Sequence, residues 1–259
     1  MTWGEASSRS SLSSAERDGA LRRLTALGFA EPEARVLAEH FLDAERRGKL
    51  GHGLARIDWL ATLGDLDPAA RPELVHSGTG FERWDGRGAL GYLTLAAICD
   101  SLLAQPPEHS RVVVAVNCFP TGMLGYWVRR LATGGLAAVL TATSPPRLAH
   151  PDGGDPLVGT TPLAIAVPSS DGKPLVADVS MGKVTHGDVI AGHADAADLV
   201  PFGAEQSYKA FALAAGLQLL VGALGVETHG ALLVAARPEA DPVPAFRALA
   251  AGLRLPGDS

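Results

Sequence analysis

Three strand-length apolar runs follow one another in the middle of the chain: Leu136-Ala-Ala-Val-Leu-Thr-Ala142, Pro162-Leu-Ala-Ile-Ala-Val167 and Pro174-Leu-Val-Ala-Asp-Val179. Each run is rich in aliphatic or β-branched residues and is bounded by turn-forming residues, which indicates a buried β-strand. The connections between the runs contain Gly, Pro and small polar residues, whose backbone amides and hydroxyls suit a phosphate or carboxylate. We therefore predict buried strands with a ligand site at their connecting loops.

An acidic residue, Asp178, interrupts the third run just before its last valine. Burying an unpaired carboxylate costs several kcal/mol, so a partner is expected. The candidate partner is His52, which stands between Gly51 and Gly53 at a predicted helix entrance, where the small neighbours let a ligand approach closely. A single histidine is more often structural than catalytic. The predicted pairing favours a general acid, because Asp178 would orient His52 and stabilise its charged form.

Composition excludes several classes of function. The chain has 259 residues, ordinary globular apolar content and a net charge of -6, so nucleic acid and anionic membranes are disfavoured as partners and a small-molecule substrate is favoured. The eight histidines lack metal-site spacing, so we expect no metal. Cys99 and Cys118 lack CxxC spacing, and residues 1–14 lack the apolar core of a signal peptide. Both observations indicate a cytoplasmic protein.

Helical signals dominate up to about residue 72, and alternating helix and strand signals follow. We predict a helical N-terminal domain over residues 1–72, joined by the C-terminal segment 241–259, and a mixed α/β domain over residues 73–240. The apolar window from Ala210 to Val226 is interrupted by glycines and is interpreted as a buried helix rather than a membrane span. Ala231 to Ala236 is the last predicted strand.

The segment Gly86-Arg-Gly-Ala-Leu-Gly91 matches the GxGxxG pattern of dinucleotide-binding loops. The preceding residues are too polar for a central parallel strand, and the next strand ends at Asn117 instead of an acidic residue that could bind a ribose. A Rossmann site is therefore the less favoured interpretation.

A different set of segments resembles a known family. Arg47-Gly-Lys-Leu-Gly-His-Gly-Leu-Ala-Arg56 is similar to the RGxxSHGxxR segment of the malate/L-lactate dehydrogenase-like oxidoreductases, the type that lacks a Rossmann fold. The resemblance covers most of the chain in order, and it continues through these segments: Trp84-Asp-Gly86, Asn117 with Gly122 and Gly125-Tyr126, Thr143-Ser-Pro145, Gly153-Gly154, Gly159-Thr-Thr-Pro162, Asp178 and Pro201-Phe-Gly203.

This resemblance implies an α/β fold with a mixed sheet, a non-Rossmann NAD(P)-binding core and a helical N-terminal domain. It also implies a homodimer that uses NADPH or NADH. Relatives include ureidoglycolate dehydrogenase and piperideine/pyrroline-2-carboxylate reductase. The expected reaction is reduction of a small 2-oxo acid or cyclic 2-imino acid, with hydride delivered to C2 and His52 as the proton donor.

Residues are assigned to the expected site as follows. His52 and Asp178 are the catalytic candidates. Arg47 and Arg56, whose guanidinium groups suit a carboxylate, are the substrate-binding candidates together with Thr161, although each arginine alone is more often a solvated helix residue. The cofactor-binding candidates are Thr143, Ser144, Pro145, Gly159, Thr160, Ser180 and Lys209.

The chain departs from the family pattern at three positions. Gly51 stands where the family usually has Ser, Pro120 where a gapless match puts a His, and Gln206 where it has a Lys, with Lys209 three residues later. The chain also looks shortened between residues 189 and 201 and after residue 253. The alternative to a reductase is therefore a family member that has lost hydride transfer and serves as a partner or binding subunit, or in non-redox chemistry on an imino acid.

Overall fold

The computed structural model describes residues 14–257, in which helices and one mixed sheet form an α/β fold with helices at the N-terminus, as predicted. The expectation for the leader therefore falls almost wholly outside the described residues. In chain order the elements are α1 (Ser14–Ala26), α2 (Glu31–Arg46), α3 (Ala55–Leu60), β1 (Glu73–Gly78), β2 (Phe81–Asp85), α4 (Gly91–Ala104), β3 (Ser110–Val116), α5 (Leu124–Thr133), β4 (Ala137–Ala142), β5 (Leu163–Val167), β6 (Leu175–Val179), α6 (His186–Ile190), α7 (Ser207–Ala223), β7 (Gly230–Ala236) and α8 (Val243–Leu249).

Helix α2 supports the loop that carries His52. A proline occupies its first turn, and Leu37, Phe41 and Ala44 form a fully buried stripe against the core. Gly48 follows with a φ of +66°, a conformation that side-chain-bearing residues rarely adopt, and it turns the chain out of the helix. A short 3-10 helix, Leu50–His52, then precedes α3. His52 thus lies at a helix entrance, as the sequence predicts.

The seven strands form one sheet in the order β1-β2-β3-β7-β4-β5-β6. Only the β2–β3 pair is parallel within the described sheet, and the other neighbours are antiparallel. The three runs predicted in the middle of the chain form β4, β5 and β6 to within one residue. The last predicted strand forms β7, which lies at the centre of the sheet. The edge strand β1 is exposed throughout and was not predicted, because it has no alternation of apolar and polar residues.

Two glycines of the GxGxxG segment, Gly86 and Gly91, serve packing. A Cβ at Gly86 would lie 2.2 Å from the carbonyl oxygen of Asn117, and one at Gly91 would lie 2.7 Å from that of Pro120. The loop between β2 and α4 is therefore pressed against the segment that follows β3. With its largely antiparallel sheet, the protein lacks the doubly wound parallel architecture to which that motif belongs.

Helix α7 is more exposed than predicted. Ala210, Ala214 and Val221 are buried, whereas Leu213 and Leu219 are exposed. Apolar residues of this helix point in several directions, and only one stripe of it is buried in the chain, so the prediction of a buried helix was wrong for the other faces. Within residues 14–257, no helix combines the length and apolar character needed to cross a bilayer.

The C-terminal segment contacts the hairpin formed by β5 and β6. Arg247 Nη1 lies 2.5 Å from Asp171 Oδ2, and the Asp241 carboxylate accepts hydrogen bonds from the backbone and hydroxyl of Ser170. These contacts lie on the α/β part of the chain, and the domain division stays a prediction.

Cys99 and Cys118 are free and buried, and burial raises the pKa of each thiol to about 12.

Candidate active site

A cavity of about 390 Å³ opens between the N-terminal helices and the sheet. Residues 49–59 form one wall, the segment 119–124 before α5 forms a second, and the segments that follow β4 and β6 form the others. Catalytic sites in proteins are commonly concave and lined by a few polar groups among apolar ones. The cavity has this composition, because Trp59, Phe119 and Val184 line it together with charged side chains.

His52 lines the cavity in a neutral form. Its Nδ1 atom is buried and neither accepts nor donates a hydrogen bond within the described part of the chain. Burial and the positive charge of Arg56 lower the pKa of His52 to about 3, and the carboxylate of Asp188 only partly opposes them. The imidazole is therefore uncharged at neutral pH and presents one unpaired nitrogen.

Asp178 lines the same cavity at the end of β6, and its partner is not His52. Its Oδ2 accepts a 2.7 Å hydrogen bond from the backbone amide of Gly125, at the start of α5. A Cβ at Gly125 would lie 2.8 Å from the same oxygen, so this bond requires glycine. Burial raises the pKa of Asp178, and the Gly125 bond and the charges of Lys49 and Arg129 oppose that shift. No direct pair with His52 is present, and the one hydrogen bond to the Asp178 carboxylate within the described residues comes from the Gly125 amide instead.

Arg56 is buried without an acidic partner. Only 7% of the residue is exposed, its Nε donates a 2.8 Å hydrogen bond to the carbonyl of Gly51, and its guanidinium lies 4.8 Å from the ring centroid of Trp59. Among residues 14–257, no carboxylate lies within 4 Å of it. A buried cation costs several kcal/mol unless an anion compensates it. The guanidinium is thus suited to bind an anionic ligand.

Gly51 and Gly187 hold this wall together by close backbone contact. A Cβ at Gly187 would lie 2.2 Å from the Gly51 carbonyl, and a Cβ at Gly51 would lie 2.4 Å from Asp188 Oδ1. Asp188 is itself fixed, because it forms a capping box with Thr185 at the start of α6. Helix α6 therefore packs so closely against position 51 that only glycine fits there, although the family pattern has serine.

Most of the predicted cofactor-binding residues line the cavity. The Oγ of Ser144 is buried without a hydrogen-bond partner within the described range, whereas the hydroxyl of Thr143 binds Gly230. The residues of the predicted site that the structure brings to the cavity are His52, Arg56, Thr143, Ser144, Pro145, Thr160, Asp178 and Ser180.

Four predicted residues lie elsewhere. Arg47 is paired with Asp43 at 2.9 Å. The Gly159 amide donates to the side chain of Gln218 on α7. The hydroxyl of Thr161 is buried and donates to the Gly159 carbonyl. Lys209 binds the side chain of Gln206 beside a separate surface depression. In each case an internal partner already occupies the group.

Among the cavity residues that sequence reasoning missed, three carry polar groups that could act on a ligand. Tyr92 is fully buried, and its hydroxyl has no hydrogen-bond partner in the described chain. Arg147 follows the Thr143–Pro145 segment. His186 opens α6 with a buried, unpaired Nδ1, and burial together with Arg147 lowers its pKa to about 4. Their positions carry no motif, so only the fold identifies them.

We expect Gly51→Ser to destabilise the protein. The added side chain must displace backbone and carboxylate atoms of Asp188, and such overpacking typically costs about 1–3 kcal/mol. The free energy of unfolding, measured with urea, should fall by this amount. Gly64→Ser is the matched control, because nothing lies within 4 Å of its added Cβ. Equal stability of the two variants would contradict the packing argument.

We expect His52 to make stability fall as the pH is lowered from about 6.5 to 4. In this range an unfolded histidine binds a proton that the folded His52, with a pKa of about 3, does not bind, so acid favours the unfolded state. His52→Asn should make this decline shallower in urea titrations at several pH values. His109→Asn should leave it unchanged, because that side chain is 85% exposed. A His52→Asn profile parallel to the wild type would refute the assignment.

Comparison with known proteins shows that the chain is similar to dehydrogenases and reductases. The malate/L-lactate dehydrogenase family model matches residues 14–198. The (2R)-3-sulfolactate dehydrogenase (NADP(+)) of Chromohalobacter salexigens is 35% identical over 177 residues, which cover 66% of this chain and 52% of that protein. The Δ1-pyrroline-2-carboxylate/Δ1-piperideine-2-carboxylate reductase of Pseudomonas putida is 32% identical, over 62% of this chain and 49% of that one. The chain thus spans about half the length of these curated relatives.

Solved structures agree with this relationship at the level of the fold. The Δ1-piperideine-2-carboxylate reductase of Pseudomonas syringae superposes with a TM-score of 0.80 at 24% identity, covering 94% of this chain and 89% of that one. The malate dehydrogenase of Entamoeba histolytica superposes with a TM-score of 0.77 at 19% identity, covering 94% and 85%. The chain belongs to the malate/L-lactate dehydrogenase family.

Proposed function

We propose that this chain is an NADPH- or NADH-dependent reductase of a small 2-oxo acid or cyclic 2-imino acid. The observation that carries the proposal is the buried Arg56 guanidinium, which lacks an acidic partner among the described residues and lines one cavity with His52. Sulfolactate and pyrroline-2-carboxylate, named for two relatives, both carry a carboxylate on the reacting carbon. Arg56 would bind that carboxylate and thereby hold the carbon near His52.

The cofactor would lie against the segment after β4. Ser144 supports this placement, because its buried hydroxyl lacks an internal partner, and Thr143, Pro145, Thr160 and Ser180 line the same region. NADPH or NADH bound there would supply the hydride that reduces C2. The residues of the chain would then bind the substrate and exclude water. They would also deliver one proton to the oxygen or nitrogen of the C=O or C=N bond as the hydride adds to its carbon.

His52 would acquire its proton when the substrate binds. In the free protein the charge of Arg56 is a principal cause, after burial, of the low pKa of His52. A substrate carboxylate on Arg56 would offset that charge and raise the pKa, so the imidazole would become protonated beside the reacting atom. When ionised, Asp178, which lines the same cavity, would stabilise the imidazolium.

A second candidate function is a family member without hydride transfer. Two of the groups expected to bind the cofactor have internal partners: the Gly159 amide binds Gln218, and Lys209 binds Gln206 outside the cavity. This observation favours a binding subunit or non-redox chemistry on an imino acid. Binding of the cofactor separates the two functions.

We also propose a cytoplasmic homodimer. Helix α7 supports the dimer, because Leu213, Leu219 and Leu220 are exposed in the single chain and would be covered by a second copy. The two free, buried cysteines support a reducing compartment.

We expect His52→Ala to lower turnover about 10²- to 10⁴-fold, the range typical of general acid catalysis, without loss of the fold. The measurement is oxidation of NADPH or NADH with Δ1-piperideine-2-carboxylate, pyruvate and sulfopyruvate as substrates, with circular dichroism as the check on folding. His109→Ala is the control, since its side chain is exposed. Turnover of His52→Ala within threefold of the wild type would exclude His52 as proton donor.

We expect calorimetry to show saturable binding of NADPH or NADH. The affinity should be about 10- to 150-fold weaker than in longer relatives, because Gln206 replaces the family lysine and one charge-assisted hydrogen bond is lost. Ser144→Ala should weaken it further because the hydroxyl has no internal partner. Lys209→Ala should have no effect, because Lys209 lies outside the cavity. Absence of binding up to millimolar cofactor, by folded protein, would favour the second candidate function.

A further inference from the structure

The ring of Tyr92 is locked in place beside the cavity. Its centroid lies 4.9 Å from that of His40 and 5.3 Å from that of Phe41, both in edge-to-face geometry. On another side, a Cβ at Gly122 would lie only 2.2 Å from a carbon of the ring, so the glycine permits a contact that no other residue would allow. The backbone amide of Tyr92 is held by the carbonyl of Pro120 at 3.0 Å. The ring is therefore held by close neighbours on several sides.

The hydroxyl of Tyr92 is the unexplained part of this arrangement. The residue has no exposed surface, it lines the cavity, and its hydroxyl makes no hydrogen bond within residues 14–257. An unsatisfied buried polar group typically costs about 1–3 kcal/mol, and phenylalanine would fill the same space without that cost. Burial raises the pKa of Tyr92, so the hydroxyl keeps its proton and remains a donor at physiological pH.

The anion bound by Arg56 is the acceptor that this donor fits. Arg56 already uses its Nε on the carbonyl of Gly51, so only the remaining guanidinium N–H groups are available to a ligand. A carboxylate has about four acceptor positions on its two oxygens, and a bidentate pair with a guanidinium fills two of them, so other donors can bind the rest. Tyr92 is a second donor on the cavity wall, and it adds no charge.

We infer that Tyr92 is a substrate-binding residue whose hydroxyl donates a hydrogen bond to the carboxylate held by Arg56. The inference rests on the proposed function, because it takes its ligand from that proposal. It adds a residue that selects for an acid at this position by hydrogen bonding instead of charge. Ser144, whose buried hydroxyl also lacks a partner among residues 14–257, remains with the cofactor segment.

The test is the affinity of Tyr92→Phe for two unreactive acids, oxamate as the 2-oxo acid analogue and pyrrole-2-carboxylate as the cyclic imino acid analogue. Binding is measured by quenching of tryptophan fluorescence, since Trp59 lines the cavity, with and without NADPH. We expect a loss of affinity of about 10- to 100-fold for the acid that the wild type binds, as for a hydrogen bond to a charged group. The melting temperature of the free variant should be unchanged or higher, because an unsatisfied hydroxyl has been removed.

Tyr126→Phe is the matched control. Tyr126 contacts the same His40 ring edge-on at 4.8 Å, and it does not line the cavity. Tyr126→Phe also removes a hydroxyl, yet it should leave the affinity for the acid unchanged. A loss of affinity equal to that of Tyr92→Phe would overturn the inference.

The remaining outcomes separate this inference from the proposed function. Arg56→Gln should abolish measurable binding of either acid. If Arg56→Gln loses affinity for the acid while Tyr92→Phe keeps it within threefold of the wild type, the role of Tyr92 alone is overturned. A clear fall in the melting temperature of free Tyr92→Phe also overturns it, because the hydroxyl would then have an internal partner. Failure of the wild type to bind either acid overturns both the proposed function and this inference.

Discussion

The pairing of β7 with both β3 and β4 is the constraint on which the rest of the structure depends. Residue pairs Val116–Gly230 and Ala142–Ala231 lie at the ends of these ladders. Backbone hydrogen bonds continue beyond the strands, from the Cys118 amide to the His229 carbonyl and from the Thr143 amide to the Gly230 carbonyl. The segments that follow β3 and β4 therefore leave the sheet side by side. Both become walls of the cavity, one carrying Phe119 to Leu124 and the other Ala142 to Pro145.

The electrostatics of the cavity follow from which groups have internal partners. The carboxylates of Asp178 and Asp188 are engaged by a backbone amide and by a capping box. The cation Arg56 and the imidazole of His52 are not engaged by any acid in direct contact among the described residues. Because burial makes an uncompensated cation costly, the free protein keeps His52 neutral. The same unbalanced charge attracts an acid, so the low pKa of His52 and the affinity for a carboxylate have one physical cause.

The departure at Gly51 illustrates how a change in one segment is matched in another. The 3-10 helix that carries His52 and the short helix α6 approach through glycine on both sides, Gly51 and Gly187. Arg56 is held by the carbonyl of Gly51 in the same contact. The geometry of His52 and Arg56 thus depends on a helix that begins 130 or more residues away in sequence. The position of α6 explains the glycine without any loss of the cavity.

Local patterns were enough to predict the secondary structure around the site. Apolar runs bounded by turns predicted β4, β5 and β6, and the stripe of α2 with the glycines around His52 predicted a histidine at a helix entrance. These features depend on neighbours in sequence, and the ordered family motifs identified the fold class. The resemblance also selected His52, Arg56, Asp178 and Ser144, all of which line one cavity.

Only the tertiary structure decided which groups are available to a ligand. Asp178 binds the amide of Gly125, Arg47 binds Asp43, and Gly159 binds Gln218, so three residues with suitable chemistry are satisfied internally. Tyr92 and His186 carry no motif, yet both have unpaired polar atoms at the cavity. A hydrogen bond depends on distance and angle between atoms that are far apart in the chain, and residue type alone contains neither quantity. The sequence therefore determined the elements and the kinds of groups near the site, and the packing of the sheet against the N-terminal helices determined which of them remain free.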